Sequence, residues 1–385
     1  MGEVKITLGE PTIVVQGPPE ERRWGRYQFP SAERLSNGVI DVKYHVFEDS
    51  ATEYGKECPH SLSVDNGRTF FKSEKPLEGG LLLPNGDRIR IKVRPSLDPS
   101  DLDLPEPATK KIVYGEFVMY RAEEIPEEYS GYTIERLAAG TYEWKTEIKH
   151  VKVPGALRYK VSGVFPHQMI VRMRMAPDGR IWGINYDTLL NEKGESEWNP
   201  VFIVSDDFGA TFKFLSKIPF RPEPEKDPNW ELRQDFHEPD VAFMPDGSIL
   251  CVMRTENGLP RAGDAPIYMC RSIDGGLSWS KPEVFDSFGV WPGFIGLRNG
   301  ITLLCYGRLG VFIRATADVS GLTWDDRVEV VKPGADFTGD TCGYCDWVAL
   351  SDDTALFVYS DFQYPNADGI PVKTILARTV TATRA

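Results

Sequence analysis

The sequence predicts an all-β protein: a six-bladed β-propeller, closed by an N-terminal strand and elaborated in its second blade. Three observations lead there. The 385 residues include 35 Gly and 29 Pro and are 41% hydrophobic and 11% aromatic, a turn-rich composition with enough apolar material for a sizeable core. A strand, an Asn-Gly or Asp-Gly-like turn and a second strand recur six times. A second turn motif interleaves with these units at a regular offset.

In chain order, Lys5–Val15 reads as a strand ahead of the first hairpin. Tyr27–Leu35 then turns at Asn37-Gly38 into Val39–Phe47, and Gly80–Pro84 turns at Asn85-Gly86 into Arg88–Val93. Met169–Ala176 turns at Asp178-Gly179 into Arg180–Asn185. The fourth and best-preserved unit runs from His237 to Arg254 through Asp246-Gly247. Phe294–Leu297 turns at Asn299-Gly300 into Ile301–Tyr306, and Asp346–Leu350 turns at Asp352-Asp353 into Ala355–Tyr359. The turns begin at 37, 85, 178, 246, 299 and 352, which are 48, 93, 68, 53 and 53 residues apart. Apart from the second interval, these are about the size of one four-stranded blade.

The excess falls at about 95–155, rich in Pro and Glu, with strand-like runs at Lys111–Arg121 and Thr141–Val153. It is expected to be an extended hairpin of blade two overhanging one face, inside a single domain of residues 1–385. A separate small domain is the alternative. Lys373–Thr383 ends the sixth blade. Lys5–Val15 is expected to complete that blade, which removes an exposed sheet edge.

The interleaved motif is Ser63-Val-Asp65-Asn-Gly67-Arg-Thr69-Phe70, Ser205-Asp-Asp207-Phe-Gly209-Ala-Thr211-Phe212 and Ser272-Ile-Asp274-Gly-Gly276-Leu-Ser278-Trp279. Thr316-Ala-Asp318-Val-Ser-Gly321-Leu-Thr323-Trp324 is a degenerate copy with one extra residue. This is the Asp-box pattern. Its Ser and Asp side chains suit turn amides, its Gly a left-handed angle, and its aromatic residue a slot between strands. A structural role is expected.

A net charge of −13, from 44 basic and 57 acidic residues, argues against nucleic-acid and anionic-membrane partners. No apolar run approaches the roughly 18 residues of a membrane span. Met1–Leu8 lacks a basic stretch followed by an apolar one, so no signal peptide is visible. A mature form with its signal removed fits equally, which leaves cytoplasmic and secreted locations both open. Oligomeric state is unspecified. Of the six cysteines, several fall within apolar strands, and Cys342-Gly-Tyr-Cys345 lacks the second ligand pair of a zinc site. Neither a metal nor a cofactor is expected.

In a propeller the inner strands begin, and the second strands end, at one rim. Here that rim collects Gln28, His167, Glu238, Trp291, Tyr344 and Asp346 from strand starts, and Asp49, Glu53, Arg254 and Arg308 from strand ends and the loops after them. Trp24 and Trp291 suit stacking on sugar faces or buried packing.

With its Asp boxes, Glu238 sixteen residues before Arg254, Arg308 in Tyr-Gly-Arg-Leu-Gly and Tyr344 in Gly-Tyr-Cys-Asp, the chain resembles the sialidase (neuraminidase) superfamily over most of its length. The resemblance implies that Tyr344 is a nucleophile, that Glu238 pairs with it, and that Arg254 and Arg308 are two of three arginines binding a carboxylate. A neutral tyrosine avoids the repulsion a carboxylate nucleophile would meet from an acidic sugar, and an adjacent base must take its proton. Arginines hold a carboxylate through charge-assisted, bidentate bonds. Gln28, in Tyr27-Gln28-Phe29-Pro30, stands where the family carries its first arginine. Asp49 and Glu53 are the alternatives for the acid/base.

The expected function is a sialidase-like exo-glycoside hydrolase acting on a terminal, acidic sugar of a glycan. Gln28, His167, Trp291 and Asp346 would join the arginines in holding substrate. Two alternatives stand beside it. One is a lyase on uronic-acid glycans, with His167 and Tyr344 as base and acid; the other is a non-catalytic glycan-binding propeller. The blander readings are a blade-joining salt bridge for Glu238 and Arg254, a channel-wall aromatic for Tyr344, a solvated cation for Arg308 and a satisfied hydrogen-bonded ring for His167.

Overall fold

Each strand–turn–strand unit folds as the inner half of an antiparallel sheet. The computed structural model describes residues 3–113, 115–257, 265–334 and 339–385. Among these, five sheets have four strands, the last sheet has five, and one accessory sheet has three. The inner strands of the six larger sheets are Gln28–Arg34, Leu81–Leu82, Arg172–Met175, Arg233–Phe243, Val290–Gly296 and Cys345–Ala349. The architecture is an all-β propeller.

Apolar side chains alternate along these strands and meet those of the neighbouring sheet. Ile134 and Ile203 pack between sheets two and three, and Trp182 and Met253 between three and four. Leu250 and Leu304 pack between four and five, Leu303 and Phe357 between five and six, and Val42 and Val358 between six and one. The seam from sheet one to sheet two is polar instead. There Gly80 N–H donates to Glu33 Oε2 at 2.6 Å and Trp144 Nε1–H to Leu77 O at 2.8 Å.

The four interleaved turns explain how neighbouring sheets lock together. In the third, Ser272 Oγ accepts from Gly276 N–H at 2.9 Å, and Asp274 takes the Ser278 amide at 3.0 Å and its hydroxyl at 2.5 Å. Asp274 is held down to about 2 by these bonds, the Ser278 hydroxyl first. Gly276 has φ +87°, and a Cβ there would lie 2.2 Å from Trp182 of the preceding sheet. The turn needs glycine both for its angle and for that approach.

The N-terminal closure differs from expectation in detail. Instead of one strand, Val4–Leu8 and Thr12–Gln16 both pair with the C-terminal strand Thr374–Arg384. Pro11 lacks the N–H that would continue a single ladder, and Gly9 N–H bonds Thr379 O at 2.8 Å to keep the two pieces on the same partner.

The insertion also differs. The run expected at Lys111–Arg121 is two strands, Thr109–Ile112 and Glu116–Arg121; Tyr114 between them lies outside the described residues. Leu157–Lys160 joins them in the accessory sheet. Within 95–155, Tyr132–Leu137 and Trp144–Lys149 are the outer strands of sheet two itself. Phe117, Met119 and Leu157 of the accessory sheet share an apolar cluster with Trp198 of sheet three, which fixes the sheet against the propeller.

All six cysteines are free thiols. Cys342 Sγ lies 2.9 Å from Ser360 Oγ, and Cys345 Sγ is directed at Gly343 O at 3.7 Å. Among the described residues no His, Cys, Asp and Glu cluster has the form of a metal site. Among the described residues no helix is long and apolar enough to cross a membrane.

Candidate active site

Three inner strands share a local device at one rim. Phe29-Pro30, Glu238-Pro239 and Trp291-Pro292 each insert two residues opposite one on the partner strand, a β-bulge. Proline suits a bulge because it has no N–H to offer the ladder. The residue before it takes a left-handed conformation in each case: φ +52° at Phe29, +48° at Glu238 and +48° at Trp291. Non-glycine residues hold such angles at a cost of order 1–3 kcal/mol. The recurrence at three equivalent points marks where the fold spends stability to aim side chains.

Those side chains converge on Tyr344, which precedes the inner strand of sheet six. The Trp291 ring stacks on it at 4.5 Å and 20°, and the Phe29 ring meets it edge-on at 4.6 Å. The Tyr344 hydroxyl donates a short hydrogen bond to Glu238 Oε1. Arg254 Nη1 donates to both Glu238 oxygens at 3.1 Å, and Trp291 N–H donates to Oε2 at 2.9 Å. Arg308 Nε and Nη2 donate to Cys342 O at 3.2 and 3.0 Å. Its guanidinium lies 4.9 Å from the Trp24 ring centre and 5.8 Å from that of Tyr344. Gly307 and Gly343 permit this approach, since a Cβ on Gly307 would lie 2.5 Å from the Gly343 Cα.

The electrostatics follow from burial around a charged pair. Burial raises Tyr344 well above its ordinary value and the Glu238 charge adds to this, while Arg254 and Arg308 pull it back. Tyr344 is therefore a phenol at neutral pH. Burial works against the Glu238 carboxylate, but Arg254, the Tyr344 hydroxyl, Arg308 and the Trp291 amide together hold its pKa below the usual range. Burial and then the neighbouring Arg254 lower Arg308, with Tyr344 and Glu238 opposing them. Glu238 so carries one negative charge among two cations.

Asp49 lies at the mouth, where Trp24 Nε1–H donates to its Oδ2 at 3.1 Å. Its side chain keeps solvent contact although protein crowds it on several sides. That crowding raises its carboxyl; the Trp24 bond and the Arg308 and Arg254 charges lower it, and Glu238 raises it. Water access limits the size of the shift. Glu53 instead forms a partly exposed ion pair with Lys56 at 2.5 Å. Of the two acid/base alternatives, Asp49 is the one that shares a field with Arg308, Glu238 and Arg254.

Three other expected site residues have partners of their own. Gln28 is 0% exposed, with Oε1 accepting from Gly25 N–H at 3.0 Å. The bulge puts Phe29, not Gln28, at the position equivalent to Glu238 and Trp291. Asp346 has both oxygens engaged by backbone amides, Trp347 at 2.8 Å and Ala32 at 3.0 Å, so it joins sheet six to sheet one. His167 lies against Tyr129, ring centres 6.4 Å apart, and burial first and Arg94 second lower it to about 4.

Sequence reasoning missed Phe29 and Arg172. The Phe-Pro, Glu-Pro and Trp-Pro dipeptides at three inner-strand starts were the available signal for Phe29. For Arg172 it was the alternation Arg172-Met173-Arg174-Met175, which puts two cations on one face. Arg172 donates to Pro292 O at 3.0 Å and sits 4.5 Å from the Trp291 ring centre. Arg174 donates to buried Asp240 at 2.7 Å.

No family model matches the sequence, and no curated protein does. Solved structures do match. A protein of unknown function from Dyadobacter fermentans has a TM-score of 0.68 at 18% identity, covering 98% of this chain and 99% of that one. The Penicillium chrysogenum α-L-arabinanase, solved with arabinobiose, has 0.53 at 14%, covering 97% and 98%. A Fusarium graminearum α-L-arabinofuranosidase, solved with an iminosugar inhibitor, has 0.50 at 14%, covering 97% of each chain. Sialidases are also among the matches. At these identities the likeness is one of fold: the class is the β-propeller to which these glycoside hydrolases also belong.

Proposed function

We propose that the protein is a glycoside hydrolase that cleaves a terminal sugar from a glycan. One observation carries the reading: a tyrosine hydroxyl hydrogen-bonded to a carboxylate that an arginine holds ionised, with a crowded carboxyl at the same mouth. Tyr344 oxygen attacks the anomeric carbon as its proton passes to Glu238. The glycosidic C–O bond breaks, and the leaving oxygen takes the proton of Asp49. Water then attacks the glycosyl–tyrosine carbon, Asp49 accepts its proton, and Glu238 returns a proton to the phenolate. Trp291 and Phe29 hold the phenol ring in place.

The Arg308 guanidinium beside Tyr344 supports a sugar bearing an acidic group. Among the described residues, Arg254 and Arg308 are the arginines placed beside Glu238 and Tyr344. The fold likeness to arabinan-directed enzymes supports a neutral furanose as the second reading. The lyase alternative needs His167 and Tyr344 at one sugar, and His167 keeps company with Tyr129 and Arg94 instead. We take the six sheets and the accessory sheet as one domain, because Trp198 and Phe117 share one apolar cluster.

The test is turnover of aryl sialosides, uronides, α-L-arabinofuranosides and rhamnosides by the unaltered chain, Tyr344→Phe and Glu238→Gln. One sugar class should be hydrolysed, and each substitution should lower kcat about a thousandfold or more, the range of lost nucleophilic or acid–base assistance. Turnover that survives both substitutions overturns the proposal.

A further inference from the structure

The insertion and its accessory sheet touch the candidate active site on two sides. Next to Asp49, Ala51 packs against the apolar cluster of the accessory sheet; in the chain leading to that sheet, Ser96 Oγ–H donates to Ala51 O at 2.6 Å, and a Cβ on Gly55 would lie 2.3 Å from Pro95 N. Next to Glu238, Lys111 Nζ of strand Thr109–Ile112 donates to Asp235 Oδ2 at 2.8 Å, three residues before Glu238 on the same strand. The Lys111 ammonium also lies 4.6 Å from the Trp198 ring centre and 3.5 Å from Ser196 O. Asp235 in turn accepts from Trp198 N–H at 3.0 Å and holds a φ of +67°.

This latch supports a row of rings. Trp198 lies 5.3 Å from His237, and His237 lies 5.1 Å from Tyr186. Tyr186 and His237 are part-exposed, whereas Trp198 is buried behind them. Tyr186 is also within electrostatic reach of Arg254, so the row abuts the Glu238–Arg254 pair. Flat rings with polar edges beside a reacting centre suit the C–H face and hydroxyl edge of a pyranose or furanose.

Building on the hydrolase reading above, we propose that this row is a second sugar-binding subsite, on the leaving-group side of Tyr344, assembled by the accessory sheet. A leaving group that takes its proton from Asp49 departs toward the loop the accessory sheet holds. The next sugar of the glycan then lies along Tyr186 and His237. Lys111 is a positioning residue: it contacts no sugar and keeps Asp235 and Trp198 in the geometry that supports the row. The enzyme is therefore specific for oligosaccharide leaving groups rather than for the terminal sugar alone.

The test compares kcat/KM for a 4-nitrophenyl monosaccharide with that for di-, tri- and tetrasaccharides of the same terminal sugar. The proteins are the unaltered chain, Tyr186→Leu, Lys111→Met and Lys111→Arg. The unaltered chain should favour the disaccharide over the aryl glycoside, with no further gain beyond the disaccharide. Tyr186→Leu and Lys111→Met should each lower the oligosaccharide-to-aryl ratio about tenfold, mostly through KM, and Lys111→Arg should restore most of it. An unchanged ratio, or equal losses on both substrates, overturns the subsite. If no glycoside is turned over, the hydrolase reading has failed, and calorimetric titration with the same mono- to tetrasaccharides decides the subsite separately. Tighter binding of the disaccharide that is lost in Tyr186→Leu supports it, and binding independent of length, or none, overturns it.

Discussion

Replacing Arg254 by Met tests whether Glu238 is the charged centre of the rim. Glu238 is 5% exposed and Arg254 is 6% exposed, so both charges lie out of bulk water. Arg254→Met removes two charge-assisted bonds of 3.1 Å to Glu238, leaving only the Tyr344 hydroxyl and the Trp291 amide on it. Breaking a buried pair by removing one partner costs about 3–5 kcal/mol. The same change relieves the repulsion between Arg254 and Arg308, so about 3 kcal/mol is expected. Glu238→Gln takes the carboxylate charge from beside Arg254 and Arg308 and should cost about as much. In the double variant the Arg254 charge is gone as well and Arg308 alone has lost the neighbouring carboxylate, so a coupling of about 2 kcal/mol should appear in the cycle. The sign with pH follows from the lowered pKa of Glu238. A depressed carboxylate contributes stability that is fully present above its unfolded value, near 4.3, and is lost as pH falls through the folded value. The gap between the unaltered chain and Arg254→Met should thus be full at pH 7 and close in acid below about pH 4. Equilibrium denaturation followed by fluorescence and circular dichroism reads this out. A cost under about 1 kcal/mol at pH 7, or a gap that does not change with pH, refutes the reasoning.

Asp49→Asn should lower kcat and remove the alkaline limb of the pH–rate profile, because the raised Asp49 carboxyl must be protonated to act as the acid. The loss should be smallest for aryl glycosides with good leaving groups, as measured across a series of substituted phenols. Gly276→Ala should destabilise by about 2 kcal/mol or more, from a left-handed angle and a Cβ placed on Trp182, read from the denaturation midpoint. Glu53→Gln should leave kcat/KM within about twofold, since its partner is Lys56.

The propeller was legible because its signals are local and repeated. Asn-Gly and Asp-Gly turns, period-2 strands and the Ser–Asp–Gly–Thr turn each carry their geometry in a few residues, and six copies correct one another's ambiguities. The N-terminal pairing was legible in kind, but its break at Gly9–Pro11 depends on register against Thr379. The insertion was less legible. Its strands divide between sheet two and an accessory sheet, and only long-range packing of Phe117 on Trp198 decides that division. At the site, Tyr344, Glu238, Arg254 and Arg308 could be named because spacing along strands fixes which end of a hairpin they occupy. Gln28 could not be placed, since one bulge residue exchanges the faces of Gln28 and Phe29. Asp49 and Glu53 are four residues apart in a loop, and only the fold shows which one faces Trp24 and the arginines.

The central claim is that Tyr344 forms the covalent bond to the sugar. The direct measurement is rapid-quench mass spectrometry of Asp49→Asn with whichever aryl glycoside the chain hydrolyses, followed by peptide mapping. Asp49→Asn slows the second step, so the glycosylated form should accumulate, with the added mass on the peptide containing Tyr344. An adduct on Asp49 or Glu238 in the unaltered chain, or Tyr344→Phe turning over within tenfold of the unaltered protein, would contradict the account.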